Sequence, residues 1–263
     1  MKEVVFLTEE KKEVPSIEVY QPQKRVGNSA VLIFAGGAYA FRAPHEGEGY
    51  ARFLNEHGVL CFVVNYRVNP DMFPLPLADA QTAVQYVRAN AEKYSVDKNK
   101  IAVMGSSAGG HLCALLCTYR QKVYKEGGAL DYIRGEDFIP NAQILCYPVI
   151  DVADENITHK GSCVNLFGEE WKSNGKELSP HLIADEKTPM AFIWHTFNDD
   201  AVNLLNSVNY VKKLKQLGIL TEFHVFPEGA HGLGLSLGES KQEKHVSTWS
   251  KLLVQWLKYV DFI

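Results

Sequence analysis

Hydrophobic residues recur along this chain in two rhythms. Dense apolar runs occur at VLIFA (31–35), LCFVVN (60–65), IAVM (101–104), AQILCY (142–147), MAFIWH (190–195) and EFHVF (222–226). Each is short and rich in β-branched or aromatic residues, with turn-like residues near its ends, which predicts strands. Between them, apolar positions return every three or four residues. Leu77, Ala80, Val84, Val87 and Tyr94 share one face of a predicted helix that ends before VDKNK, and Val202, Leu205, Val208, Val211 and Leu214 share another, with Gly218 placed as its C-terminal cap. Val246, Trp249, Leu253, Trp256 and Val260 stripe a last helix, and such aromatic stripes read as core. Runs without polar alternation predict strands buried on both faces. The sequence therefore predicts an α/β fold, a mostly parallel central sheet with helices on both faces. IEVY (17–20), closed by Pro22, predicts an antiparallel edge strand at the start.

No internal repeat or low-complexity tract divides the chain, and residues 1–263 read as one domain. The least regular stretch is 149–188, which contains Gly161, Gly168, Gly175 and Pro180. Loops after late strands of such a sheet overhang the carboxyl ends of the strands. This stretch is the candidate lid or pocket wall that selects a substrate.

The chemistry concentrates at strand ends. Gly105-Ser106-Ser107-Ala108-Gly109 matches G-x-S-x-G with Ser107 at its centre. The five-residue match is weak alone, but IAVM leads into it, and Ala108, Leu112, Leu115 and Tyr119 leave it at helical spacing. Strand, tight turn and helix is the setting in which such a serine is held strained and exposed above the sheet. A serine hydroxyl is a poor nucleophile until a histidine takes its proton. Of nine histidines, His231 stands apart, in the glycine-flanked loop FPEGAHGLG after the last predicted strand. His111, one helical turn past Ser107, reads as a packing residue. An acid should lie between serine and histidine in the chain. WHTFNDDAV offers Asp199 first and Asp200 second, with Asp151 a third candidate; Asp199 or Asp200 could instead cap a helix. Preorganised amides should meet the negative oxygen that forms during attack. Ala108 supplies one, and the turn in VLIFAGGAYAF supplies Gly37 and Ala38.

These motifs together, AGGAY (35–39), NYRVNP (65–70), GSSAGG (105–110), YPVID (147–151), HTFNDD (195–200) and VFPEGAHGLGL (225–235), resemble the α/β-hydrolase esterases. The resemblance is to the acetyl esterase and acetylxylan esterase-like group related to hormone-sensitive lipase. It implies a triad of Ser107, Asp199 and His231, choosing Asp199 over Asp200, with Gly37, Ala38 and Ala108 as oxyanion donors. It also implies short-chain ester hydrolysis through an acyl-enzyme, with acetylated sugars as the candidate substrates. Related lipases carry His-Gly-Gly-Gly where this chain has Ala35-Gly36-Gly37-Ala38, so a side chain that steadies the loop is missing. The chain also lacks a sizeable N-terminal cap, which disfavours a bulky lipid. Tyr39 and Arg42 follow the oxyanion turn and read either as pocket-lining or as packing and surface residues. An amidase or peptidase of the same fold, or a non-catalytic binding module, are the rival readings.

Composition adds exclusions. A net charge of −4, with 46% hydrophobic and 22% charged residues, gives no basic footprint for nucleic acid. Neither MKEVVFLTEEKKEV nor any later segment carries the apolar run of a signal peptide or membrane span, so a cytoplasmic protein with no membrane partner is expected. Five cysteines without paired spacing predict buried free thiols and no zinc site, and the ester hydrolysis that the resemblance implies needs no metal or organic cofactor. The expected partner is a small-molecule ester, and homo-oligomers are compatible with the sequence.

Overall fold

The structure, a computed structural model, describes residues 3–11, 13–124, 130–133, 135–173 and 175–263. Eight strands form one sheet: β1 (Glu3–Phe6), β2 (Ser16–Tyr20), β3 (Ala30–Phe34), β4 (Leu60–Asn65), β5 (Ile101–Ser106), β6 (Ala142–Cys146), β7 (Met190–Thr196) and β8 (Thr221–Phe226). Their order is β1-β2-β4-β3-β5-β6-β7-β8. The pairings β1–β2 and β2–β4 are antiparallel and all later ones parallel. Helices α1 (Pro44–Glu56), α2 (Leu75–Ala89), α3 (Ser107–Thr118), α4 (Lys160–Phe167), α5 (Pro180–Ile183), α6 (Leu205–Gln216), α7 (Lys241–Val246) and α8 (Thr248–Tyr259) fill the connections.

The continuous apolar runs work as strands because each feeds two cores at once. Successive side chains of a strand point to opposite faces. Leu32 and Phe34 of β3, Leu145 of β6 and Ile193 of β7 join a core with α2, α3 and α6. Val31, Ile33, Ile144, Phe192 and Trp194 join the other, with Tyr50 and Leu54 of α1 and Trp249, Leu253 and Trp256 of α8. All five cysteines are free and buried. Among the described residues no helix is long and apolar enough to cross a membrane.

Four expectations need correction. The strand at 17–20 is not the edge, because β1 pairs outside it. β1 is four residues long, exposed at Glu3 and Val4, and its apolar run Val4 to Phe6 is shorter than those of the inner strands. α2 ends at Ala89, and Tyr94 reaches the same core from the turn beyond. The stripe assigned to α6 faces partly outward: Leu205 is 45% exposed and Val208 37%, and Val202 precedes the helix. α6 buries Leu214 of that stripe together with Asn206, Ser207 and Tyr210. Burying these polar groups is tolerable because each finds a partner. Asn206 Oδ1 accepts the amides of Ile150 and Asp151, and Ser207 Oγ meets His195 Nδ1 at 2.8 Å. The last stripe is two helices, α7 and α8, divided at Ser247, and Val260 caps the second.

Candidate active site

The parallel register sets Phe34 of β3 beside Gly105 of β5, so the turns that follow both strands emerge side by side. β5 passes straight into α3 at Ser107, whose φ of 52° is left-handed, a conformation that costs a non-glycine residue on the order of 1–3 kcal/mol. The neighbouring glycines explain how the turn holds. A Cβ on Gly109 would lie 2.1 Å from the Phe34 carbonyl oxygen, and one on Gly105 would lie 2.3 Å from the Gly109 oxygen. β3, the end of β5 and the start of α3 thus touch backbone to backbone, and Ser107 is lifted to the sheet's carboxyl edge.

His231 lies in the loop after β8. Its Nε2 is 2.9 Å from Ser107 Oγ and its Nδ1 2.8 Å from Asp199 Oδ2. The carboxylate fixes the neutral ring's proton on Nδ1, which leaves Nε2 to accept from the serine hydroxyl. Asp199 follows β7, and its side chain is 1% exposed. Its Oδ1 accepts the amides of Ala201 and Val202. His195 Nε2 lies 3.3 Å from Oδ2 and 2.9 Å from the Val202 carbonyl. Burial works against the Asp199 charge. Hydrogen bonds from His195 and His231, the His231 charge and the Val202 amide outweigh it and hold the carboxyl well below its ordinary range.

The other acids are placed elsewhere. Asp200 is exposed. Asp151 accepts the amides of Ala153 and Asp154 and faces His181 at 3.3 Å.

The turn after β3 brings Gly37 and Ala38 over Ser107. Gly37 has φ +128°, and a Cβ there would lie 2.3 Å from the Phe41 oxygen. Ala38 and Tyr39 are also left-handed. The amides of Ala40 and Phe41 close onto the Gly37 carbonyl, whereas those of Gly37 and Ala38 take no acceptor among the described residues. Ala108 lies in the first turn of α3, where an N–H has no intrahelical partner. Three uncommitted amides therefore border Ser107.

A buried polar network centred on Glu46, which lies outside the sequence motifs, holds that turn. Glu46, 3% exposed in α1, accepts the Gly36 amide at 2.8 Å through Oε2 and the Tyr147 hydroxyl at 2.6 Å through Oε1. Tyr147 Oη in turn accepts the Gly234 amide at 2.9 Å, and its ring edge meets His231. Tyr50 bridges Tyr147 and Ser106. Glu46 thus anchors the turn that lacks the lipases' histidine. An acid in the first turn of a helix reads as surface charge near the dipole, so nothing local signalled it.

A pocket of about 290 Å³ lies over Ser107, with Gly37, Ala38, Phe41, His45, His159 and His231 in its wall. Phe41 and His45 were not expected there, while His159 falls within 149–188, the stretch expected to supply a wall. Tyr39 is not available to it, since it is 1% exposed with its hydroxyl 2.8 Å from His111 Nδ1. His111 is the buried packing residue it read as: burial lowers its pKa to about 4, and Nε2 meets the Leu178 carbonyl. Arg42 donates to the Tyr66 carbonyl and faces a separate groove with Glu18 and Tyr20. The wall includes part of 149–188, of which residue 174 lies outside the described residues. His159 precedes α4, and Asn165 of α4 donates to the Ala38 carbonyl at 2.9 Å. Among the described residues no three acids, histidines or cysteines are grouped to hold a metal ion.

The BD-FAE family model matches residues 17–214 of this chain. The endo-1,4-beta-xylanase B of Butyrivibrio fibrisolvens is 32% identical over 244 residues, covering 90% of this chain and 36% of that protein. The acetylxylan esterase of Xylanibacter ruminicola is 30% identical over 220 residues, covering 82% of this chain and 43% of that protein. The chain spans less than half the length of either relative. Among solved structures, an acetyl ester-xyloside bifunctional hydrolase from Caldicellulosiruptor lactoaceticus is similar at TM-score 0.87 and 37% identity, covering 95% of this chain and 89% of that one.

Proposed function

The chain belongs to the BD-FAE family and has the α/β-hydrolase fold, and from that membership we propose that it is a serine esterase working through an acyl-enzyme on Ser107. One observation carries the proposal. Serine, histidine and buried carboxylate form a single hydrogen-bonded line beside three uncommitted amides.

In the proposed reaction His231 Nε2 takes the Ser107 proton as Oγ attacks the ester carbonyl. The carbonyl electron pair moves to oxygen, and the amides of Gly37, Ala38 and Ala108 receive that charge. Asp199 stabilises the imidazolium without becoming protonated. When the tetrahedral adduct collapses, His231 gives its proton to the leaving alcohol. Water then enters, loses a proton to His231 and attacks the acyl-serine, and collapse returns the proton to Ser107 and frees the carboxylic acid.

The names of the acetylxylan esterase and acetyl ester-xyloside hydrolase relatives support an acetyl ester of a sugar as substrate. Residues 149–188 would be the wall that selects it.

The test is hydrolysis of p-nitrophenyl acetate, butyrate and octanoate by the protein and by Ser107→Ala. Acetate should be preferred, and the substitution should remove turnover by about 10⁶-fold, as in other serine triads. Preference for octanoate would overturn the short-acyl assignment. Activity that survives in Ser107→Ala would overturn the mechanism, and turnover confined to a matched anilide would move the protein to the amidases.

A further inference from the structure

His159 stands in the Ser107 pocket, and the reaction above gives it no task. Its Nδ1 is committed. As the N-cap of α4 it accepts the Ser162 amide at 3.2 Å, and it meets Ser162 Oγ at 2.9 Å. A ring nitrogen that accepts an amide hydrogen presents its lone pair, so the proton of the neutral ring sits on Nε2. No acceptor for that proton is found among the described residues, and the half-buried ring leaves Nε2 reachable from the pocket. Burial, and then the charge of His231, depress the imidazole's pKa below its ordinary value. At neutral pH the ring is therefore a neutral single donor with a fixed tautomer.

Its place decides which half of an ester it meets. His231 must reach the leaving oxygen to protonate it, so the alcohol lies on the His231 side of Ser107. His159 lines the same pocket as His231 and Gly232 of the general-base loop. The acyl oxygen belongs instead to the turn of Gly37 and Ala38.

We propose that His159 is a specificity-determining residue for the alcohol half of the ester, and that preferred alcohols carry a second oxygen next to the esterified carbon. A partly acetylated pyranoside has that oxygen, as the hydroxyl beside its ester. A simple aryl or alkyl acetate does not. The assignment rests on the esterase reading of Ser107 and extends it to the leaving group.

The alternative is that His159 only caps α4. His159→Asn separates the two, because asparagine is a favoured N-cap and its Oδ1 can accept the Ser162 amide, while the ring donor is gone. The readout is a ratio: kcat/KM for a monoacetylated methyl xyloside over that for its analogue lacking the hydroxyl beside the ester. The protein should favour the hydroxylated ester by about tenfold, the scale of one well-placed hydrogen bond. In His159→Asn the ratio should fall to about one.

A ratio that is unchanged in the variant, or near one in the unsubstituted protein, would overturn the assignment; if the variant does not fold, the second measurement decides. Ser107-dependent hydrolysis of p-nitrophenyl acetate, run alongside, keeps the two readings apart. If it persists while the ratio is near one, only the His159 assignment falls. If it is absent, the esterase reading falls and this inference with it.

Discussion

The turn that carries Ser107 and the turn that carries Gly37 and Ala38 sit at adjacent strand ends, yet they are held by different means. The Ser107 turn is fixed from within and by its nearest neighbour. Gly105 and Gly109 bring three backbone segments into contact, and nothing larger fits. The Gly37 turn closes on itself through the Ala40 and Phe41 amides, but it is also held from outside, by the Glu46 carboxylate on the Gly36 amide and by Asn165 on the Ala38 carbonyl. Glu46 is held in turn by Tyr147, which also binds the histidine loop at Gly234. Steric contact leaves a pattern in neighbouring residues, whereas a buried polar network joins residues a hundred positions apart. The first kind of support is rigid and local. The second couples the oxyanion turn to the loop of the general base.

The sharpest break removes what both turns serve. Asp199→Asn should lower kcat by about 10⁴-fold, because the ring loses the partner that fixes its tautomer. It should also change the acid stability curve. Asp199 has a depressed folded pKa, so its contribution to stability is full above the unfolded value of about 3.9 and is lost as pH falls through the lower folded value. The gap in urea midpoint between the protein and Asp199→Asn should therefore be widest near pH 7 and narrow below about pH 4. A gap that widens on acidification would contradict the depressed pKa.

Gly109→Ala attacks the steric turn alone. Its Cβ meets the Phe34 oxygen, and relieving that contact displaces Ser107. The expected loss is about 10²-fold in kcat, since misplacement by about 1 Å suffices for that, with about 1–3 kcal/mol of stability. Unchanged urea melting would show that the strand ends give way more easily than their contacts suggest.

Tyr147→Phe attacks the polar network and leaves the glycines untouched. Glu46 Oε1 and the Gly234 amide both lose their partner, at a cost of about 1–3 kcal/mol for each buried group left unpaired. We expect about a tenfold fall in kcat, while a phosphonate probe still labels Ser107. An equal loss of labelling would mean that the network supports the nucleophile as well as the oxyanion turn. Asp200→Ala is the smallest change. An exposed side chain away from the network should alter kcat less than twofold and stability by about 0.5 kcal/mol or less. A larger effect would reopen the choice of acid.

The same contrast explains what the sequence could tell. The inner parallel strands were legible because two-sided burial leaves unbroken apolar runs, the edge strand β8 because it is rich in aromatic and β-branched residues, and the Ser107 turn because its glycines lie within five residues of one another. β1 was missed because its apolar run, Val4 to Phe6, is short and directly follows the charged start of the chain. The inward face of α6 was missed because it carries Asn206 and Ser207, whose partners lie at Ile150, Asp151 and His195. Tyr39 stood near the right place in the chain but turns into the core to meet His111. Glu46 and His159 carried no local pattern at all, since each acquires its meaning from residues the fold brings to it.

Trp249 and Trp194 stack at 4.9 Å between ring centroids, and Trp249 Nε1 donates to the Gly234 carbonyl at 3.1 Å. The same glycine's amide is held by Tyr147. Gly234 of the histidine loop is thus held at both its peptide groups, the amide by a phenol and the carbonyl by an indole. Indole emission responds to its hydrogen bonding and to its neighbours, so the intrinsic fluorescence of this protein is a natural reporter of where that loop sits, readable during turnover without any added label.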